Sequence, residues 1–394
     1  MTSRRRRVLI VQPSLNPPGG GQAVAAWMIQ ALQDDYQIGL VTWTPPDFEA
    51  VNRHYGTCIG RADIAVHLVP ALARRVVDAL PLRLALLRSA ALIRAARRVA
   101  GAYDVLISAE NEADLGRPAI QYIHYPRLLR PRPPTDFRWY HRPRMVLAVY
   151  YAACARVMGG SVSEIARNVT LANSAWTAER MRALCPDADV SVVHPPVLAD
   201  FPDVPWARRE NGFVCIGRIA GEKQLDRVVS ILAAVRPAVP DVHLHVIGSR
   251  GGRADYRRFM RLARHHRQWV HVSEDLSRAE LAELVARHRY GIHGMQEEHF
   301  GIAPAEMTRA GCIVFLPAGG GQVEIVGGDD RLLYSQPDEA VAKIVQVLTH
   351  AEDQASLRTY LAGRAGLFSA ERFVGSIREV VHRFPDPLPQ DGPT

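Results

Sequence analysis

The sequence predicts an α/β protein built from two doubly wound domains that face each other across a cleft. Three observations carry this. Short buried strands alternate with amphipathic helical stretches along most of the chain; the alternation halts at a proline-rich break and then restarts; and 394 residues is too long for one compact core. In the first half, Val8–Gln12, Gln37–Trp43, Ile64–Val69, Asp104–Ser108, Ala119–His124 and Asn168–Ala172 read as strands, with helices near 22–34, 82–100, 143–158 and 174–184. Apolar strands joined by helical crossovers imply a mostly parallel sheet covered on both faces. The break is Val193-His-Pro-Pro-Val197, followed by Pro202 and Pro205. Beyond it the alternation resumes with strands at Gly212–Gly217, Val242–Gly248, Trp269–Ser273, Tyr290–His293 and Ile313–Leu316, and with helices near 222–236, 253–266 and 277–287. The expected domains are 1–197 and 206–370, with a helix at about 371–384 packing back on the first. In paired sheets of this kind a ligand sits at the carboxyl ends of the strands.

Bulk properties narrow the function classes. Charged residues at 22% and hydrophobic residues at 48% are globular values. The five cysteines, at 58, 154, 185, 215 and 312, are scattered, odd in number and without metal-ligand spacing, a pattern that fits a reducing compartment and argues against zinc or a disulfide scaffold. The Arg4–Arg7 run does not lead into a signal-peptide core, and no apolar run is long enough to span a bilayer. The expected location is the cytoplasm, with a peripheral position at the inner face of the membrane. All of the +8 net charge falls in residues 1–200. A one-sided basic field suits nucleic acid, an anionic membrane surface or a phosphorylated substrate. A non-enzymatic nucleic-acid-binding protein is therefore a rival class, but no RNA or DNA motif is present, and the expectation is no nucleic-acid partner.

Three loops carry candidate chemistry. The first is Pro13–Gln22, where Gly19, Gly20 and Gly21 remove side chains between the first strand and its helix, so backbone N–H groups can meet an anion. The second is Gly217-Arg-Ile-Ala-Gly-Glu-Lys223, again between strand and helix. Arg218 and Lys223 bracket this turn, where cations oppose the helix dipole unless an anion is bound, so both are expected to converge on one diphosphate. The third is Glu298-His-Phe-Gly-Ile-Ala-Pro-Ala-Glu306. Pro304 suits a first helical turn and Gly311 a helix end. Two acids flanking an anion-binding helix start suit a ligand with hydroxyls at both ends and phosphates between, as in a nucleotide-sugar. A base pocket is expected near Gly248-Ser249 and Asp275-Leu276.

The set Gly19–Gly21, Gly217-Arg-x4-Lys223 and Glu298-x7-Glu306 resembles glycosyltransferase family 4, the retaining transferases of the GT-B fold, over almost the whole chain. Tyr122-Ile-His-Tyr-Pro126, Leu171-Ala-Asn-Ser-Ala-Trp-Thr177 and Gln296–Ile302 look like the GDP-mannose-dependent α-1,2-mannosyltransferases of lipid-linked oligosaccharide assembly. The chain is expected to lack the N-terminal membrane segment of those enzymes. The resemblance implies a nucleotide-sugar donor, GDP-mannose, and a glycan or lipid-linked acceptor, with no cofactor and no metal. By the same resemblance Arg218 and Lys223 neutralise the departing diphosphate under the glycine loop, and Glu306 takes the ribose. Glu298 and the backbone at His299, Phe300, Gly301 and Ile302 hold the sugar, and His124 reaches it from the opposite domain. A UDP-sugar donor and a catalytically silent relative are the alternatives. The arginines at 74, 75, 83, 88, 94, 97 and 98, interleaved with apolar residues, read either as a surface for anionic lipid or as an ordinary solvated helix face. Arg127–Arg144, with Trp139 and Tyr140, belongs to the same question.

Overall fold

The computed structural model describes residues 4–79, 84–126, 144–160, 162–198 and 200–385. Arg83 and residues 127–143, part of the expected basic surface, lie outside the described residues. The chain divides into two compact units, residues 1–193 with 373–394, and residues 194–372. The division follows Val193, so the prolines at 195, 196, 202 and 205 belong to the second unit.

In the first unit seven parallel strands run β1 (Arg7–Val11), β2 (Gln37–Thr42), β3 (Ile64–Leu68), β4 (Val105–Ser108), β5 (Ile120–Ile123), β6 (Val169–Ala172) and β7 (Val190–Val192). Their order in the sheet is β3-β2-β1-β4-β5-β6-β7. The order reverses between β1 and β4, so the loops leaving those strands diverge and open a crevice at their carboxyl ends. Central strands such as β1 and β4 are buried on both faces, which explains their unbroken apolar runs. The helix Ala370–Arg383 packs Phe373, Ile377 and Val381 into this unit's core, beside Ile10, Met28 and Tyr122.

The second unit repeats the plan with β8 (Glu210–Ile216), β9 (His243–Gly248), β10 (Val270–Glu274), β11 (His288–Ile292), β12 (Ile313–Pro317) and β13 (Leu333–Tyr334). The order is β10-β9-β8-β11-β12-β13, all parallel, and the switch falls between β8 and β11. Its core runs from Phe213 and Val246 to Phe315 and Tyr334.

Several local expectations change. The helix expected from 222 is a short 3-10 turn, Gly221–Lys223, and then Leu225–Val235, because Gln224 adopts a left-handed conformation at φ 48°. The glycines at 20 and 21 lie inside the helix Gly20–Leu32 rather than in the preceding loop. Helices Phe48–Tyr55, Pro337–Thr349 and Ala351–Ala365 were not expected, and the basic stretch 71–100 is two helices, Ala71–Ala79 and Ala85–Val99. The first of these carries a legible start, Asp47, whose carboxylate accepts from the Ala50 N–H at 3.1 Å.

Candidate functional site

The switch point of the second unit gathers the strongest cluster. Lys223 follows β8 and Glu298 follows β11, the two strands on either side of the reversal. Close backbone approach makes the meeting possible. A Cβ on Gly248 would stand 1.9 Å from the Gly217 carbonyl oxygen, and one on Gly294 2.6 Å from the Lys223 carbonyl oxygen. Gly217 itself holds φ 151°, a region L side chains rarely adopt. The Lys223 ammonium donates to Glu298 Oε2 and lies 3.7 Å from Met295 Sδ. His293, the residue just after β11 and 1% exposed, hydrogen-bonds the same carboxylate oxygen through Nε2 at 3.0 Å.

The electrostatics follow from burial. Burial alone would push the Glu298 carboxyl up; the His293 hydrogen bond and the Lys223 charge outweigh it and hold the group well below the usual carboxylate range. Burial pushes His293 down, against the pull of Glu298, so its ring is neutral near pH 7 and donates Nε2–H. The Glu298 loop is also fixed through its backbone. Gly321 N–H donates to the Glu298 carbonyl at 2.8 Å, and the buried Gln322 amide donates to the carbonyls of Met295 and Gly319 at 2.8 and 3.0 Å. Gly320, at φ 77°, has room only for hydrogen, since a Cβ there would meet the Glu298 carbonyl oxygen at 2.2 Å.

Eight residues on, Glu306 lies in the helix Ile302–Arg309. Gly301, at φ 103°, precedes that helix, and no side chain among the described residues caps it. The N–H groups of its first turn therefore have no partner within the helix. Phe300 is not exposed to a ligand: its ring is buried against Val197, Ile325 and Phe368. His299 and Ile302 flank this anchor. Glu306 Oε1 accepts from Arg278 Nη1 at 2.5 Å, and the same guanidinium takes Asp200 at 2.5–3.2 Å. Burial pushes the Glu306 carboxyl up, partly offset by Arg278. Burial would lower Arg278, but Asp200 and Glu306 more than compensate and hold it firmly charged. Arg278 opens the helix Arg278–Ala286, which starts on a Ser277–Glu280 capping box.

Arg218 behaves differently from Lys223. It is 60% exposed and pairs with Glu222 at 2.7 Å, so the two cations of this turn are held by separate carboxylates.

The first unit has its own constellation. Gly19–Gly21 follow β1, and a Cβ on Gly21 would lie 3.4 Å from His124 Nε2. His124 follows β5; its Nε2 donates to the Ala109 carbonyl at 3.0 Å, and its backbone N–H donates to Asn111 Oδ1 at 2.8 Å. Asn111, in a left-handed conformation at φ 63°, thus fixes the end of β5. His293, Arg278, Asp200, Gln322 and Asn111 were not singled out from sequence. Only His293, ending a strand five residues before Glu298, carried a readable signal.

Residues 199–363 match the family model of glycosyl transferases group 1. This stretch belongs to that family. The first match of the chain among curated proteins is the human GDP-Man:Man(3)GlcNAc(2)-PP-Dol alpha-1,2-mannosyltransferase, 25% identical over 252 residues, covering 58% of this chain and 50% of the relative. The Neurospora crassa enzyme of the same name is 27% identical over 213 residues, covering 45% and 37%. The chain spans half the length, or less, of the curated relatives it matches. Among solved structures, Anabaena HepE in complex with UDP superposes with a TM-score of 0.69 at 13% identity, over 96% of this chain and 100% of that one. Sucrose-phosphate synthase from Thermosynechococcus elongatus gives 0.71 at 15%, over 96% and 99%. At such identities the likeness shows the fold: the chain has two Rossmann-like units of the GT-B type.

Proposed function

We propose that the protein is a retaining glycosyltransferase that moves mannose from GDP-mannose to a hydroxyl of a glycan or lipid-linked acceptor. The carrying observation is the buried Lys223–Glu298–His293 cluster at the switch point of a group 1 domain. In this reading Lys223, with Arg218 at the rim, faces the negative charge that builds on the departing diphosphate, and prearranged cations lower the barrier as the bond breaks. Glu298, ionised throughout the physiological range, accepts from the sugar hydroxyls beside the backbone of His299–Ile302. Arg278 holds Oε1 of Glu306 and thereby orients the carboxylate toward a ribose. Acceptor recognition falls to the first unit. The attacking hydroxyl gives its proton to a donor phosphate oxygen, and no protein nucleophile is assigned. The names of the curated relatives support the donor. HepE, solved with UDP and with UDP-glucose, favours the second reading, a UDP-sugar.

Thermal-shift titration with GDP and UDP, followed by mass-spectrometric detection of transfer from a donor panel, tests both. Stabilisation by GDP together with mannose transfer supports the first reading. Selective stabilisation by UDP overturns its donor, and absence of transfer or donor hydrolysis with every nucleotide-sugar overturns the enzyme.

The acceptor side has a second element, an anionic membrane surface. Helices Ala85–Val99 and Arg144–Met158 pack together, with the Leu87 N–H on the Tyr150 hydroxyl at 3.2 Å and Arg94 on the Val157 carbonyl at 3.2 Å. Met145 is 84% exposed, and Val146 and Val149 are exposed beside it, as are Leu72 and Val76 on Ala71–Ala79. The only acid on these three helices is Asp78, against Arg74, Arg75, Arg88, Arg94, Arg97, Arg98, Arg144 and Arg156. Exposed apolar side chains on helices with so marked an excess of arginine match anionic lipid. No helix among the described residues is long and apolar enough to cross a membrane.

A further inference from the structure

The second unit carries a cluster that the transfer reaction does not use. It lies at the amino-terminal edge of the sheet, the end opposite Lys223 and Glu298. Glu210 opens β8, His243 opens β9 and His288 opens β11. Register brings them together: His243 pairs with Gly212 and His288 with Glu210, and a bulge between His288 and Tyr290 re-aims the first residue of β11.

We propose that Glu210, His243 and His288 bind one divalent transition-metal ion, with zinc best suited to the donor set. His243 Nε2 lies 3.1 Å from Glu210 Oε2 and 3.3 Å from His288 Nε2, and His288 Nε2 lies 3.8 Å from Glu210 Oε2. A tetrahedral ion with bonds of roughly 2.0–2.2 Å needs donor–donor edges of about 3.3–3.5 Å, and the three separations bracket that value. The tautomers suit it as well. His288 Nδ1 lies 2.7 Å from the Leu284 carbonyl, which can only accept, so Nδ1 holds the proton and Nε2 presents its lone pair. The same histidine is 1% exposed, while the Glu210 side chain reaches solvent, as expected of an ion entering from the surface. Gly212 makes the space: a Cβ there would stand 2.2 Å from His243 Nε2, inside the position the ligand atom needs.

Glu210 and His243 line a cavity of about 420 Å³ shared with His245 and His271, which leaves room for a water as fourth ligand. The bordering cation, Arg236, is turned away, donating to the Val242 carbonyl and stacked over the Trp269 ring at 5.3 Å. Two imidazoles and one carboxylate suit zinc, and by affinity order also cobalt, nickel or copper. The site sits at the far end of strands five to seven residues long, so the ion braces β8, β9 and β11 and takes no part in sugar chemistry.

Cobalt titration of the untagged, chelator-stripped full chain tests this. One equivalent should bind per chain, with the visible absorption of tetrahedral cobalt, be displaced by zinc, and raise the melting temperature. Glu210→Gln and His243→Asn change side chains that are 46% and 23% exposed and should fold, as circular dichroism of the stripped variants would verify. Each should weaken binding by roughly 10- to 100-fold or more, since even outer-sphere partners of metal ligands cost that much. His350→Gln, remote from the cluster, should bind as the wild type does. Less than one equivalent in the wild type, or unchanged binding in Glu210→Gln and His243→Asn, overturns the site. The readout is metal occupancy, so it stands apart from the outcome of any transfer assay.

Discussion

Lys223 and Glu298, 75 residues apart in the chain, share a charge-assisted hydrogen bond at the point where the second sheet reverses its strand order. Both side chains are about four-fifths buried. Removing one partner of such a pair strands the other charge. Lys223→Met should therefore lower stability by about 3–5 kcal/mol in urea denaturation. Adding Glu298→Gln to it should restore part of the loss. A double variant as unstable as the sum of the two singles would show that the pair is not coupled.

The pH dependence has two signs to keep apart. Glu298 has a depressed folded-state pKa, so its contribution is present above the unfolded value of about 4.3 and is lost as pH falls toward the folded one. His293 is also depressed, but as a base: below about pH 6.5 the unfolded chain takes up a proton that the folded chain refuses, so stability falls with pH. Between pH 6.5 and 5, His293→Gln should flatten the stability profile by up to about 1.4 kcal/mol per pH unit. Below pH 4, Glu298→Gln should resist acid better relative to its own neutral-pH stability than the wild type does. Parallel profiles for wild type and His293→Gln would contradict the neutral buried imidazole.

Arg278 is shared by Asp200 and Glu306. Arg278→Met should cost about 3–5 kcal/mol by leaving the Glu306 carboxyl buried without its partner. Arg278→Met with Glu306→Gln should be more stable than the single variant. Chemical denaturation compares them directly, and an unaltered single variant would remove the orienting role given to Arg278.

Gly248→Ala drives a methyl group to 1.9 Å from the Gly217 carbonyl, where backbone must move. The expected cost is about 1–3 kcal/mol, with loss of the nucleotide-induced thermal shift, because the displaced turn carries Lys223. Gly221→Ala meets only the Asp255 carboxylate at 3.2 Å and should be mild by comparison.

Val149→Glu adds a charge to the exposed face of Arg144–Met158. Co-sedimentation with phosphatidylserine vesicles at low salt should fall sharply while the melting temperature holds. Wild-type binding that is absent, or indifferent to both salt and this substitution, would dispose of the membrane surface.

Much of the scaffold could be read from the chain. The strands from β1 to β6 and from β8 to β12 lie within about two residues of the expected positions, because buried parallel strands announce themselves as unbroken apolar runs. The short β7 and β13 and the helices Pro337–Thr349 and Ala351–Ala365 escaped, since none of them carries a functional motif. Lys223, Glu298 and Glu306 were legible as types at a spacing. Their partners were not. Arg278 lies 78 residues from Asp200, and nothing local marks either. The exclusion of zinc rested on cysteine spacing, which is blind to histidines gathered by strand register. His243 and His288 are 45 positions apart and become neighbours only once β8, between β9 and β11, is in place.

From Phe373 onward the helix Ala370–Arg383 belongs to the first unit, although every residue from 194 to 372 belongs to the second. Neither half of the molecule can thus be obtained by cutting the gene once. A protein ending near Val193 would expose Ile10, Met28 and Tyr122 where Phe373, Ile377 and Val381 should cover them, and would be expected to aggregate. An isolated first half would have to carry residues 373–385 on a designed tether, and a limited digest that nicks near residue 372 should leave that short segment clinging to the amino-terminal fragment.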